Sequence, residues 1–417
     1  MRDVYIIGVG STRMGRHLEK SISSLTGESL QEALRDAGIN KQDIQSAWFA
    51  NFSWGIFSGQ NSIRGQVALR PLGIDTIPIV NVENACASGS TAFHGAWKDV
   101  ASGLFDASLA VGTEKLYNED KAKSFQAIMS GVDVEQVGPQ LEAFRKVANE
   151  IIPPEYSLEK GPAGGSEKSS FMDVYGGFAR AHMRKYGTTQ RQLAVISSKN
   201  HHHGALNPYA QYQKEMTVEE VLRDKMISWP ITRPMCAPIG DGSACAIICS
   251  KDFLRKAPSA RPIKVLASLL GSGTNRPLEA DTEDIGCRLS RRAYDIAGIG
   301  PEDISIVEVH DASAFGELQV TEAIGLCRFG EGGLLAESGA TALGGKIPVN
   351  VSGGLESRGH PIGATGLGQI HELIIQLRGE AGARQVEGAR VALAENGGGA
   401  IGVEAAAMCI HIFQRVR

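Results

Sequence analysis

Leu30-Gln-Glu-Ala-Leu-Arg-Asp-Ala-Gly-Ile-Asn-Lys-Gln-Asp-Ile44 recurs, with one residue of slack near the leucine, as Leu289-Ser-Arg-Arg-Ala-Tyr-Asp-Ile-Ala-Gly-Ile-Gly-Pro-Glu-Asp-Ile304. Gly38 then matches Gly298, and Asp43 matches Asp303. Each copy predicts an amphipathic helix, a glycine stop, a short turn and a strand, over residues 47–51 in the first and 306–310 in the second. Two such units predict a duplicated α/β fold. The alternative is a chance likeness between two common Ala-Gly helix ends.

Working outward, the length of 417 residues exceeds what one core organises, so two domains or more are expected. A hydrophobic content of 42% suffices for a large core, and 50 glycines predict many tight turns and close backbone approaches. The net charge of −4 gives no sign of a nucleic-acid partner. Seven cysteines, odd in number and without CxxC pairs, argue for a reducing, cytoplasmic setting and against a disulfide framework or a zinc site. Val4-Tyr-Ile-Ile-Gly-Val-Gly10 reads as a buried strand and turn rather than a signal peptide. No apolar run approaches the length of a membrane span.

In Asn81-Val-Glu-Asn-Ala-Cys-Ala-Ser-Gly-Ser90, one cysteine sits where an apolar strand over residues 76–82 gives way to small, helix-opening residues. Cys86 is the candidate nucleophile. A thiol at a helix N-terminus feels the positive end of the peptide dipoles and is expected to lose its proton near neutral pH. Against this stands the ordinary fate of a free cysteine, burial as a small apolar residue. A second segment, Asn350-Val-Ser-Gly-Gly-Leu-Glu-Ser-Arg-Gly-His-Pro-Ile-Gly-Ala-Thr-Gly366, decides for chemistry. It holds His360 between glycine and proline on a rigid turn, suited to taking a proton from a thiol. Cysteine, histidine and glycine-rich backbone together point to covalent acyl transfer with backbone N–H groups on the oxyanion.

Here the chain resembles the thiolases across nearly its whole length, in Asn84-Ala-Cys-Ala-Ser-Gly89, Asp241-Gly-Ser-Ala244 and Gly359-His-Pro-Ile-Gly-Ala-Thr-Gly366. The resemblance implies a duplicated five-layer α/β/α/β/α fold with the reacting groups between its halves. Val309-His-Asp-Ala-Ser-Ala-Phe315 resembles the His-Asp-Cys-Phe signature of the sterol-carrier-protein-type branch. His310 would then help His360 to form an oxyanion hole around the thioester oxygen, against the alternative of a core histidine satisfied by backbone. Gly359, Gly397 and Asn396 are expected to support that hole. Asp311 is expected to orient a nearby turn.

Residues 115–229 differ in character, with polar helical stretches and the turn-rich Ile152-Pro-Pro-Glu155 and Lys160-Gly-Pro-Ala-Gly-Gly165. They read as an inserted loop domain, flanked by residues 1–114 and 230–257 of the N-terminal half, with residues 258–417 forming the C-terminal half. In thiolases the equivalent insertion covers the active site and helps bind coenzyme A. Within it, Lys199-Asn-His-His-His-Gly204 invites a metal reading. Three consecutive helical residues cannot face one ion, and the run reads as a solvated helix end.

The departures matter as much. The family's second cysteine, which shuttles a proton to and from the substrate α-carbon, is missing at both of its usual places: one holds Ala312, the other Ala394-Glu-Asn-Gly-Gly-Gly399. Glu395 is the most economical replacement, since a carboxylate in a glycine-lined pocket has its pKa raised. Its bland alternative is a strand-end residue binding a backbone amide. Ser313 through water, or one of the histidines, are the other candidates. Cys409 reads as core of a terminal strand.

The resulting expectation is an acyl-CoA acyltransferase that cleaves a 3-oxoacyl-CoA with coenzyme A, or runs the condensation, through an acyl-Cys86. The lost cysteine points to an unusual substrate, branched or aromatic, as in the family's benzoylsuccinyl-CoA thiolase. The alternatives are a non-covalent retro-aldolase acting on a 3-hydroxyacyl-CoA, and a non-catalytic acyl-CoA- or lipid-binding protein. Coenzyme A is expected as substrate, with no covalent cofactor and no metal in the chain. The resemblance further implies a homodimer or higher oligomer and a small zinc-ribbon and OB-fold partner subunit.

Overall fold

The computed structural model describes residues 1–156 and 171–416. The chain begins β1 (Val4–Ser11), α1 (Ile22–Ala37), β2 (Ser46–Ala50), α2 (Trp54–Ser58), α3 (Arg64–Leu69), β3 (Ile79–Val82), α4 (Ser88–Ala101) and β4 (Ala107–Glu114). After β4 come α5 (Lys121–Ile128), α6 (Val137–Lys146), α7 (Phe171–Tyr186), α8 (Gln190–Ala205), α9 (Val218–Arg223) and a small hairpin, β5 (Met226–Ser228) and β6 (Ile231–Thr232). The order resumes with β7 (Gly242–Ser250), β8 (Ile263–Ser272), α10 (Ile285–Ala297), β9 (Ile306–Glu308), α11 (Ala314–Ala323) and α12 (Gly332–Glu337). It ends with α13 (Gly354–Arg358), α14 (Thr365–Arg378), β10 (Val391–Gly398) and β11 (Ala407–Arg415).

The repeated sequence folds twice into the same device. α1 ends at Gly38 with φ 66°, and α10 ends at Gly298 with φ 68°, the left-handed conformation that glycine adopts without a Cβ clash. A tight turn follows each. In it the Asp43 carboxylate accepts from the Asn40 amide at 3.0 Å, and the Asp303 carboxylate accepts from the Gly300 amide at 2.9 Å. The aspartates shared by the two copies are therefore what closes both turns before β2 and β9.

Strand order is β3-β2-β4-β7-β1-β8-β11-β10-β9. The halves contribute β3-β2-β4-β7-β1 and β8-β11-β10-β9, joined where β1 pairs with β8 at Tyr5–Lys264 and Ile6–Ile263. The central core places Phe93 and Ala96 of α4, with Leu367 and Ile370 of α14, against both half-sheets through Ala246, Ile248, Ala392 and Phe413. Outside, Leu30 and Ala33 of α1 cover the other face of the first half-sheet, and Leu289 and Ala293 of α10 cover the other face of the second. Helix, sheet, helices, sheet and helix make the five expected layers, with the two half-sheets continuous rather than separate. The C-terminal counterpart of β3 is reduced to a single bridge between Val307 and Val349.

Three boundaries differ from the sequence reading. The first strand of the pair at 47–51 and 306–310 runs one residue earlier, and the second ends at Glu308. His310 leaves the ladder because its amide donates to the Glu395 carboxylate at 2.9 Å. β3 begins at Ile79 rather than residue 76, since Thr76 is left-handed at φ 62° and Pro78 has no N–H to give. The histidine run is also not a solvated helix end. α8 packs against α11, α12 and α13, so His201 and His203 are buried and only His202 is exposed. His203 bridges the Asn350 carbonyl and the Leu343 amide, both at 3.0 Å. The stretch Lys160–Gly165 lies outside the described residues.

One buried carboxylate ties the halves together beside the site. Glu114, at the end of β4, accepts from the Phe52 and Ser53 amides at 2.9 and 3.0 Å and from the Ser53 hydroxyl at 2.8 Å. It also accepts from the Gly363 amide at 2.9 Å, three residues past His360. Burial raises its pKa, and these donors compensate the desolvation.

Candidate active site

Cys86 and His360 come from equivalent places in the two halves, the loops entering α4 and α14. Before the cysteine, Ala85 adopts φ 47°, a left-handed conformation costly for a residue with a Cβ. The kink is held by the Ser88 hydroxyl donating to the Ala85 carbonyl at 2.6 Å and by the Ala87 amide donating to Asn84 O at 3.0 Å. Cys86 therefore stands ahead of the helix proper, which opens at Ser88, with its thiol facing the cavity.

His360 Nε2 lies 3.3 Å from Cys86 Sγ. Its Nδ1 lies 2.7 Å from Thr365 Oγ1, and that hydroxyl donates to the Pro361 carbonyl at 3.1 Å. The hydroxyl's own proton is committed, so it accepts from Nδ1–H and leaves Nε2 unprotonated toward the thiol. Thr365 thus sets the tautomer, a role the sequence motif contained without revealing.

The thiol is not poised as a thiolate. Burial pushes its pKa up to about 12, with the Glu83 and Glu114 charges adding to the shift. Backbone amides of Gly399 and Cys86 oppose it only partly. The expected ionisation near neutral pH is corrected accordingly: desolvation outweighs the helix-end dipole, which begins two residues further on. Burial, then the neighbouring His310 and Arg358, hold His360 well below its ordinary pKa. The resting pair is neutral thiol and neutral imidazole.

His310 and Glu395 complete the floor. The His310 ring meets that of His360 edge to face at 5.2 Å, its Nε2 has no partner, and burial lowers its pKa to about 4. It is a neutral ring bordering the cavity. Glu395 Oε2 is engaged by the His310 amide, while Oε1 is buried without a partner. Burial raises the Glu395 pKa to about 8.

The cavity over these groups has a volume of about 1130 Å³. Strand alternation in β10 sends Glu395 and Gly397 into it, whereas Asn396 points away toward Gly366, with both side-chain polar atoms unpartnered. Gly359 does not line it either; its φ of 107° forms the turn that presents His360. Ser313 is corrected from relay to cap: its hydroxyl receives the Gly316 amide at the start of α11. The Asp311 carboxylate accepts from the Leu355 amide at 2.7 Å, the turn-orienting role expected of it. Cys409 is buried in β11 outside the cavity.

The sequence reading missed other lining residues. Tyr175 and Phe178 come from α7, and their spacing with Phe171 on one helical face was the available signal. Cys236 also lines the cavity, from a place no motif marks, with its Sγ donating to Thr232 O at 3.4 Å. Among the described residues, Cys86, His310 and His360 form the one cluster able to share a metal ion, their ligand atoms lying within 4.8 Å of one another. A metal there would take up the facing Cys86 Sγ and His360 Nε2 atoms.

Gly398 shows how tightly the Cys86 loop is seated. A Cβ on it would lie 2.2 Å from Asn84 O and 2.3 Å from Ala87 N, both backbone atoms. Gly398→Ala is expected to displace the Cys86 loop, lowering stability by about 1–3 kcal/mol. The thermal midpoint and the rate of Cys86 alkylation, compared with wild type, check this.

A family model described as "Thiolase, N-terminal domain" matches residues 4–228, and one described as "Thiolase C-terminal domain-like" matches 284–412. An acetyl-CoA acetyltransferase of Methanothermobacter thermautotrophicus is 37% identical, covering 100% of each chain. Sterol carrier protein 2 of Bos taurus is 36% identical over 94% of this chain and 69% of its own. The benzoylsuccinyl-CoA thiolase subunit BbsB of Thauera aromatica is 34% identical over 95% of each. Among solved structures, an Ltp2-ChsH2(DUF35) aldolase superposes with a TM-score of 0.76 at 20% identity, covering 98% of this chain and 97% of that one. At that identity the superposition speaks for the fold alone.

Proposed function

Because the chain belongs to the thiolase family and is a thiolase-type enzyme, we propose that it cleaves a 3-oxoacyl-CoA with coenzyme A, or runs the reverse condensation, through an acyl-Cys86 intermediate. The observation that carries the reading is the 3.3 Å contact between Cys86 Sγ and an unprotonated His360 Nε2. In cleavage, His360 takes the thiol proton as sulfur attacks the 3-oxo carbon. The oxyanion formed is stabilised by the Cys86 and Gly399 amides at the sulfur. Collapse breaks the bond between the α-carbon and the former carbonyl carbon. His310 donates from Nε2 to the thioester oxygen as its enolate forms, and protonated Glu395 delivers a proton to the α-carbon. Coenzyme A then attacks the acyl thioester as its thiol proton passes to the Glu395 carboxylate, and the Cys86 sulfur leaves with the proton held by His360.

Two kinds of lining support an acyl-CoA. Exposed Arg16, Lys121, Lys214 and Arg233 border the cavity and suit the phosphates of coenzyme A. Met172, Ile285, Val320 and Met408 give it an apolar wall. That wall fits a branched or aromatic acyl group better than acetyl, within the span from the acetyl of one relative's name to the benzoylsuccinyl of another's.

Intact-protein mass spectrometry after brief mixing with a panel of 3-oxoacyl-CoA thioesters tests the covalent path. An acyl adduct that requires Cys86 is expected, and its mass identifies the acyl group. No adduct, with a Cys86→Ala variant still cleaving a 3-hydroxyacyl-CoA, would replace this reading by the retro-aldolase.

We further propose that the protein is a homodimer. β3 is a sheet edge with Val80 37% exposed, suited to strand addition from a second copy. A small partner subunit, as in the DUF35-containing aldolase, is part of the same reading. Light scattering after purification from the native source is expected to give a dimer carrying that subunit; a lone monomer would refute both.

A further inference from the structure

We infer that the acyl cavity continues past Phe178 into a second cavity, and that together they form one channel for an extended apolar acyl tail. The inference rests on the acyl-CoA reading above. The second cavity has a volume of about 280 Å³ and shares Phe178, Asp284, Gln319 and Ala323 with the first. A wall made of shared side chains is thin, and Phe178, whose ring meets Phe144 edge-on at 4.8 Å, and Gln319 close it with side chains, which have alternative rotamers where backbone has none.

The two cavities lie along the same pair of helices. On α7, Phe171, Tyr175 and Phe178 face the catalytic cavity, and Phe178, His182 and Lys185 face the second. Their spacing alternates four and three, which is one continuous helical face. From Tyr175 to His182 that face advances about 10 Å. α11 follows the same course: Gly316 and Val320 line the first cavity, Phe315 and Glu322 the second, and Gln319 and Ala323 both.

What the second cavity offers a ligand is decided by its charges, and these face one another. His182 is held between Thr188 Oγ1 at 2.8 Å and Glu322 at 2.9 Å. Lys185 and Tyr186 both reach Asp281, at 2.6 and 2.5 Å. Arg276 is held by Asp284 at 2.8 Å and Glu404 at 2.9 Å. A charged ligand end meeting His182, Lys185, Arg276 or their partners would have to break one of these contacts. An apolar tail needs none of them and meets Ala181, Leu278, Phe315 and Phe329 instead.

The test is calorimetric binding of straight-chain saturated acyl-CoA thioesters of increasing length to full-length protein carrying Cys86→Ala, which prevents acyl transfer. Each methylene that enters the channel is expected to tighten binding by up to about fourfold. Phe178→Ala, added to that protein, is expected to extend the length over which affinity keeps rising. Ala181→Trp, which fills the second cavity, is expected to end the rise earlier. The slope of log Kd against chain length is read within each variant. Identical slopes in all three proteins would overturn the channel while leaving acyl-CoA binding intact. Failure of every thioester to bind would overturn the acyl-CoA reading itself.

Discussion

Replacing Cys86 by alanine is expected to lower thiolytic cleavage by about 10⁴- to 10⁶-fold, the loss that follows removal of a covalent nucleophile. The expectation follows from geometry rather than from thiol acidity. With the thiol pushed up to about 12 and His360 held well below its usual range, almost no thiolate exists before substrate binds. The sulfur becomes nucleophilic only as His360 Nε2 accepts its proton, over 3.3 Å. Alkylation of free enzyme by iodoacetamide is accordingly expected to be slow near neutral pH and to accelerate toward alkaline pH. Steady-state cleavage of a 3-oxoacyl-CoA by wild type and Cys86→Ala is the deciding measurement. Retention of more than a few per cent of activity in the variant would exclude an acyl-cysteine path.

Glu395→Gln carries the second large effect, a loss of about 10²- to 10⁴-fold in both directions, the usual worth of a positioned acid or base. Its pH signature separates it from a structural role. With a pKa of about 8, Glu395 is protonated below that pH and ionised above it. Cleavage needs the proton to deliver, so its rate should fall as pH rises through about 8. Condensation needs the carboxylate to take an α-proton, so its rate should climb over the same interval. Glutamine removes the limb from both profiles. A variant that keeps the limb would assign the α-carbon proton to another group lining the cavity, such as His310 or Cys236. Glu395→Asp, which keeps the carboxyl on a shorter arm, is expected to recover part of the activity and the limb together.

The duplication was legible because each copy is a local device. A helix, a left-handed glycine and an aspartate that caps its own turn act within a few residues, and Gly38 with Asp43 and Gly298 with Asp303 do so in the structure as in the sequence. Cys86 and His360 were legible because each sits on a sharp, small-residue turn that few other roles require. The histidine run was misread for a related reason. Its helical periodicity was visible, but the burial of His201 and His203 comes from α11, α12 and α13, all distant in sequence.

The sequence alone therefore determined the repeated helix-turn-strand units, the cysteine and histidine turns that the fold brings together, and the absence of cysteine at positions 312 and 395. The tertiary structure alone decided how those groups ionise, which of them meet, and how far the cavity extends. Glu395 and Asn396 make the division plain. They are adjacent in sequence, yet strand alternation turns the carboxylate into the cavity and the amide away from it. Burial then raises both the carboxyl's pKa and the Cys86 thiol's. Desolvation depends on every atom packed around a group, most of them far away along the chain, so no local pattern of residues encodes it.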